Sequence, residues 1–339
     1  MTRIVSYNIL AGGYSLRAKG ERRTKQLVNI IRSANPDIVG IVEATHPRMK
    51  EPPLVVEEIA KELGMRLVMG GEPRHDNDYQ IALLTRLPVI YTKLHPRPGQ
   101  LNKPLLEVGI EEENGQQLTA FVTHLTAAFH RGRGGGHIRM REAREILKIM
   151  APLRQEGKPH FIMGDFNSLA PGDVFKASHL VRYIVKLDNY RKDRGLADGH
   201  PQMDSVVPPK LRFIEPVLRI IPNSQLLCNL FDAAAALYAP RGCIRLLREA
   251  GYVDCYRRMH VRDWGFTCPA AAPAGRIDYI FASPGLAERL EMCQEIVTGN
   301  GTPGEHASDH LAVTAKFGLG VEPPQLADTR ETVSGTTSG

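Results

Sequence analysis

Chemistry first shows itself in Phe161-Ile162-Met163-Gly164-Asp165-Phe166-Asn167-Ser168, where an apolar run ends in a carboxylate and a carboxamide spaced two apart. In extended backbone, residues i and i+2 point to the same side, so Asp165 and Asn167 set an acceptor beside a donor. That pairing suits holding a water against a phosphate. The same octet also reads as a strand-to-loop turn, since Asp and Asn are turn formers. Glu43 directly follows Ile38-Val39-Gly40-Ile41-Val42. A carboxylate there is costly inside a core unless it is paired or binds a cation; the alternative is exposure at the strand tip. His124 ends an arm whose Leu118, Ala120 and Val122 share its face, which fits a functional imidazole and a core histidine equally. Asn8 lies near the end of the Arg3–Leu10 alternation, and Asp309 and His310 follow a Gly-rich loop. In Arg276-Ile277-Asp278-Tyr279-Ile280-Phe281, alternation places Arg276, Asp278 and Ile280 on one side, a cation with a carboxylate.

The elements that must position these groups alternate between strand and helix. Strands are expected over Arg3–Leu10, Asp37–Val42, Tyr79–Thr85, Phe161–Met163, Glu295–Thr298 and Leu311–Phe317. Leu105–Glu111 and Gln117–Leu125 flank Glu113-Asn114-Gly115, a hairpin signal because Asn-Gly accepts the positive φ of tight turns. Helices are expected around Leu27, Ile30 and Ile31, over Leu54–Leu63, from about His137 to Leu153, within Asp232–Leu237, over Arg241–Ala250 and over Leu286–Met292. Asn8, Glu43, His124, Asp165, Asn167, Asp278, Asp309 and His310 thereby all fall at ends of predicted strands, which gather at sheet edges. From residue 178 to 240 the pattern loosens and reads as an inserted subregion, and residues 319–339 read as a disordered tail after a domain spanning 1–318.

Composition narrows the function classes. The 339 residues are 42% hydrophobic and 24% charged, enough for a sizeable buried core. Five cysteines, odd in number and never spaced as CxxC, indicate neither a disulfide framework nor a zinc site. No leader pattern and no membrane-length apolar run is evident, so the expectation is a cytoplasmic protein without membrane insertion, and no obligate protein partner is implied. A formal charge of +6 mildly eases the approach of anionic substrates. Arg131 and Arg133 form a basic, Gly-rich loop with the charge for phosphate but without the spacing of a phosphate-binding P-loop, which favours a solvated linker.

The ordered set Ser6-Tyr7-Asn8-Ile9-Leu10, Val42-Glu43, Val122-Thr123-His124-Leu125, Gly164-Asp165-Phe166-Asn167-Ser168, Arg276-Ile277-Asp278-Tyr279-Ile280-Phe281 and Ser308-Asp309-His310 resembles the endonuclease/exonuclease/phosphatase family of metal-dependent phosphohydrolases. The resemblance implies an α/β fold, a four-layer α-β-β-α sandwich of two mixed sheets. It implies Glu43 as principal metal ligand with Asn8 and Asp309 nearby, and Mg²⁺ or Mn²⁺ as the metal. Asp165 would activate the attacking water, Asn167 would donate to a phosphate oxygen, and His124 and His310 would hold phosphoryl oxygens, with Asp278 bonded to His310. Arg276, Arg131 and Arg133 are the cations expected at the substrate. The implied substrate is a phosphate ester, with nucleic acid ahead of lipid, inositol or other small phosphorylated compounds on charge. A catalytically silent binding protein of the same fold is the reading from another class. Val42 stands where the family often has Gln, and the tryptophans that abasic-site endonucleases carry before the last motif strand are replaced by Gly265-Phe266-Thr267-Cys268-Pro269.

Overall fold

The computed structural model describes residues 1–16, 20–49, 51–71, 79–96, 101–127, 135–190 and 213–320. Two six-stranded sheets form its centre. The first comprises β1 (Thr2–Asn8), β2 (Ile38–Val42), β3 (Arg66–Met69), β4 (Ala82–Thr85), β11 (Leu290–Ile296) and β14 (Ala312–Phe317), in the order β11-β14-β1-β2-β4-β3. The second comprises β5 (Val89–His95), β6 (Leu105–Glu111), β7 (Gln117–His124), β8 (His160–Asp165), β9 (Val253–Asp254) and β10 (Asp278–Ala282), in the order β5-β6-β7-β8-β10-β9. A small ribbon pairs β12 (Thr298–Gly299) with β13 (Thr302–Pro303). Each large sheet has one parallel pair at its centre, β1 with β2 and β7 with β8, and antiparallel neighbours outside it. Parallel strands end at the same edge, so this arrangement brings Asn8 beside Val42 and His124 beside Asp165.

The strand sequences explain the layering. Ile4, Ile38, Leu83, Leu106, Val108, Val122, Met163, Ile280 and Val313 fill the space between the sheets. The alternate residues Val5, Tyr7, Val39 and Ile41 face outward against α1 (Thr24–Ser33) and α2 (Val55–Leu63), whose Leu27, Ile30, Ile31, Ile59 and Leu63 complete the second core. Phe121, Ile162, Tyr279 and Phe281 do the same on the other side, against α3 (Gly136–Gln155) and, later in the chain, residues Gly242–Glu249, through Ala143, Ile146, Met150, Ile244 and Leu247. Burial on both faces explains the nearly continuous apolar runs in the central strands. The result is the α-β-β-α sandwich. After β8, α4 (Ala177–Tyr190) and α5 (Gln225–Tyr238), with Leu218 and Ile221 from the short turns ahead of α5, build a smaller apolar cluster that includes Val181, Ile184 and Cys228; α6 (Gly242–Glu249) then rejoins the main layer. Asp232 fastens α5 to the start of α4 by accepting from the Ser178 backbone N–H and hydroxyl at 2.7 and 3.0 Å. Among the described residues, no helix is long and apolar enough to cross a membrane.

The helix expected over Leu286–Met292 is replaced by a single turn, Pro284–Ala287, followed by β11 from Leu290. Pro284 starts that turn as proline does at a helix N-terminus. Past it, pairing of Leu290 to Ile296 with β14 takes over. β3 and β5 carry no expectation from the sequence. Both are edge strands whose mixed exposure blurs the alternation that marks a half-buried strand.

Candidate active site at the seam between the sheets

The two parallel pairs aim their C-terminal ends at one edge of the sandwich. Asn8 ends β1, Glu43 follows β2, His124 ends β7 and Asp165 ends β8. Antiparallel β10 starts there with Asp278, directly opposite Asp165 in register, while Asp309 and His310 precede β14. Local backbone turns the chain ends into the seam. Glu43 has φ 55° and Asn167 φ 48°, left-handed values that an ordinary side chain adopts at a cost, and Leu10 and Ala11 share φ 53°. Bonds at the same points offset that cost. The Ala11 N–H donates to Glu43 Oε2 at 2.8 Å, the Gly12 N–H donates to the Glu43 carbonyl at 2.9 Å, and the Asn167 N–H donates to Asp165 Oδ1 at 2.8 Å. Gly164 has φ 143°, and a Cβ there would lie 1.9 Å from the Thr123 carbonyl oxygen, so close approach of β7 and β8 requires glycine.

Asp165 is the hub. It is 2% exposed, and its Oδ2 accepts from Asn8 Nδ2 at 3.2 Å and Asn167 Nδ2 at 3.2 Å. The second Asn167 amide hydrogen serves the Leu125 carbonyl at 3.0 Å, so Asn167 stands as a tether of Asp165. His124 Nε2 and His310 Nε2 lie 3.7 and 3.8 Å from the same Asp165 oxygen. Burial pushes the Asp165 carboxyl up most, His310 pulls against it, and Asp278 adds to it, leaving the group at about 7. A carboxyl poised near neutrality accepts a proton from water more readily than an ordinary aspartate does.

The two histidines differ in charge. His310 Nδ1 lies 2.8 Å from Asp278 Oδ2. Burial opposes the imidazolium of His310, but Asp278, then Cys268, Asp309 and Asp165, outweigh it and hold His310 well above the ordinary histidine range. For His124, burial first, then Lys103 and His310, push the ring well below that range, so it is neutral. Neighbouring bonds fix the frame. Thr267 Oγ1 accepts from the Ile277 and Asp278 N–H groups at 3.1 and 3.2 Å, and Ser308 Oγ donates to the Asn8 carbonyl at 2.7 Å while accepting from the His310 N–H at 3.2 Å.

Eight of the expected site residues therefore converge: Asn8, Glu43, His124, Asp165, Asn167, Asp278, Asp309 and His310. Arg276 does not join them and is corrected. It is 1% exposed, its Nη1 and Nη2 grip both Asp254 oxygens at 2.7 Å, and its Nε donates to Asp173 Oδ2 at 2.9 Å. The reason is that β10 begins at Asp278, so strand alternation does not extend back to Arg276. Its guanidinium instead stands over the Tyr279 ring, 4.5 Å from the centroid, on the helix side of the sheet. Arg131 and Arg133 lie outside the described residues. Lys103 and Glu142, which the motifs do not mark, belong to the surroundings of His124.

The donor set fits a hard divalent ion. Glu43, Asn8 and Asp309 offer oxygen, the donor such an ion prefers, while the neighbouring Cys268 sulfur is kept a thiol by burial, which pushes it up to about 11. Glu43 engages its Oε2 with a backbone N–H, and among the described residues no Lys or Arg neutralises Glu43 or Asp309. Asp165, Asp278 and His310 also offer ligand atoms within 4.8 Å of one another, but their mutual bond of 2.8 Å between His310 and Asp278 engages that side of the trio.

Known structures share this fold. Chains of similar structure include an AP endonuclease from Archaeoglobus fulgidus, with 15% identity, TM-score 0.53, and coverage of 94% of this chain and 100% of that one. A 3′ phosphatase, NExo, from Neisseria bound to a product DNA hairpin has 17% identity, TM-score 0.54, and coverage of 94% and 100%. D. rerio TDP2 complexed with single-strand DNA product has 15% identity, TM-score 0.55, and coverage of 94% and 99%. At these identities the likeness is one of fold. No curated protein matches the chain. The model of the Endonuclease/Exonuclease/phosphatase family matches residues 5–310, a span that runs from β1 through every converging residue to His310, and the chain belongs to that family of phosphate-ester hydrolases.

Proposed function

We propose that the protein is a divalent-metal-dependent phosphoesterase, a phosphodiesterase or nuclease-like hydrolase in which Asp165 activates a water for in-line attack on phosphorus. The observation that carries this reading is the setting of Asp165: buried, held by Asn8 and Asn167, faced by two histidines and poised at about 7. Asp165 takes the proton from the water as the new P–O bond forms. The charged His310, backed by Asp278, donates to a phosphoryl oxygen or to the departing oxygen, and the neutral His124 donates a further hydrogen bond to the phosphate. Asn167 keeps Asp165 in place. Glu43, Asn8 and Asp309 would hold Mg²⁺ or Mn²⁺, which supplies positive charge to the phosphate oxygens when bound.

Nucleic acid is the proposed substrate class ahead of lipid or inositol phosphates, supported by the formal charge of +6 and by the DNA-bound neighbours. The test is hydrolysis of single- and double-stranded DNA, RNA, phospholipid and sugar-phosphate esters with Mg²⁺ or Mn²⁺, with Asp165→Ala as control. EDTA should abolish turnover and added metal restore it. Full activity in EDTA, or equal activity in the control, rejects the reading.

A further inference from the structure

Lys103 reaches the site from outside the motif set. It stands between Asn102 and Pro104, just ahead of β6, and the proline confines it to extended backbone. Its ammonium lies 2.9 Å from Nδ1 and 3.3 Å from Nε2 of His124. One in-plane hydrogen bond cannot serve both ring nitrogens, so the charge rests against the ring rather than being satisfied by a single acceptor. Among the described residues, no carboxylate pairs with it. An ammonium left with a neutral ring as its contact still has donors for an anion.

The placement is built into the fold. Glu142 of α3 is 1% exposed, a costly position for a carboxylate unless donors surround it. Its Oε1 accepts from Asn102 Nδ2 at 2.9 Å and from the Thr126 hydroxyl at 2.5 Å, and its Oε2 accepts from the Thr126 N–H at 3.1 Å. Asn102 Nδ2 also donates to Thr126 Oγ1 at 3.1 Å. Arg139, one helical turn before Glu142, donates from Nη1 to the Thr126 carbonyl at 2.7 Å. One buried carboxylate therefore ties the residue next to Lys103 to the segment that continues from His124. The ammonium and the imidazole are held as a pair, beside the Asp165 oxygen that His310 also faces.

We propose that Lys103 binds a non-bridging oxygen of the substrate phosphate and orients the His124 ring beside it, a role that rests on the phosphoesterase reading. Glu142 acts behind it as a positioning residue through Asn102 and Thr126.

Inorganic phosphate is the probe, since it occupies such a site without turnover. Its affinity is measured by calorimetry with Mg²⁺ present, on the full chain and on Lys103→Met, Lys103→Gln and Lys103→Arg. Loss of one charge-assisted hydrogen bond weakens phosphate by about tenfold to a hundredfold in the Met and Gln variants, and the Arg variant returns to within about threefold of wild type. Melting temperature stays unchanged, which separates binding from folding; should Lys103→Met fail to fold, Lys103→Gln carries the comparison. Unchanged affinity in the uncharged variants, equal loss in Lys103→Arg, or a wild type that does not bind phosphate overturns the proposal. Turnover is scored separately. EDTA-sensitive hydrolysis with phosphate affinity indifferent to residue 103 rejects Lys103 alone, whereas Lys103-dependent phosphate binding without hydrolysis of any ester rejects the phosphoesterase reading and keeps the anion site.

Discussion

Replacing Asp165 by Asn should separate stability from activity in a pH-dependent way. In the folded chain the Asp165 carboxyl is pushed from 3.8 up to about 7, chiefly by burial. Between those values the native state binds a proton that the unfolded chain has released, so native stability falls as pH rises through the window. Each pH unit is worth about 1.4 kcal/mol, which makes the whole window worth about 4 kcal/mol, with about 3 kcal/mol of it between about pH 5 and about pH 8. Asp165→Asn removes this dependence. It also turns an NH₂ toward the Asn8 and Asn167 amides that now donate to Asp165, at a cost of about 1–3 kcal/mol that does not vary with pH. The variant is thus less stable than wild type at about pH 5 and gains on it by about 3 kcal/mol at about pH 8. Hydrolysis meanwhile falls by about a hundredfold to ten-thousandfold, the contribution of a general base. Urea unfolding followed by circular dichroism, in EDTA so that metal binding does not enter, measures the first effect. A stability difference that stays constant from acid to mildly alkaline pH would refute the reasoning, because it would mean that Asp165 is ionised as readily in the fold as outside it.

Arg276→Met should lower stability by about 3–5 kcal/mol, since it strands the buried Asp173 and Asp254 carboxylates without their cation. In Mg²⁺ at low temperature the variant that remains folded keeps its KM, and a raised KM with unchanged unfolding would restore Arg276 to the substrate. Gly164→Ala should cost upwards of about 2 kcal/mol by forcing a methyl against the Thr123 carbonyl and parting β7 from β8, which a lowered melting temperature records.

What the sequence makes legible follows from which signals are local. The β6–β7 hairpin and the central strands announce themselves because turn chemistry and burial on both faces act over a few residues. The eight converging groups are legible for the same reason, each standing beside the start or the finish of an apolar run. Arg276 misleads because its alternation runs one step beyond the strand, and a guanidinium two residues before β10 is free to turn to the helix side. The Leu286–Met292 segment misleads because a proline start signal is genuine for one turn, while the strand beyond it is set by pairing with β14, a partner distant in sequence. Lys103 is invisible for a related reason. A lysine before a proline carries no mark of a site until Glu142, in another layer, ties its neighbour to Thr126.

The bond from Asn8 to Asp165 crosses from one sheet to the other. Groups from both sheets therefore close around whatever anion the seam receives, and that anion acts as a rivet through two plates whose shared interior is apolar. Its binding free energy is then added to the resistance of the plates to parting, growing with the logarithm of ligand concentration above its dissociation constant. The slowest amide exchange in the inner strands and the occupancy of the seam become two readings of a single equilibrium, so the protein's durability in solution reports how full its site is.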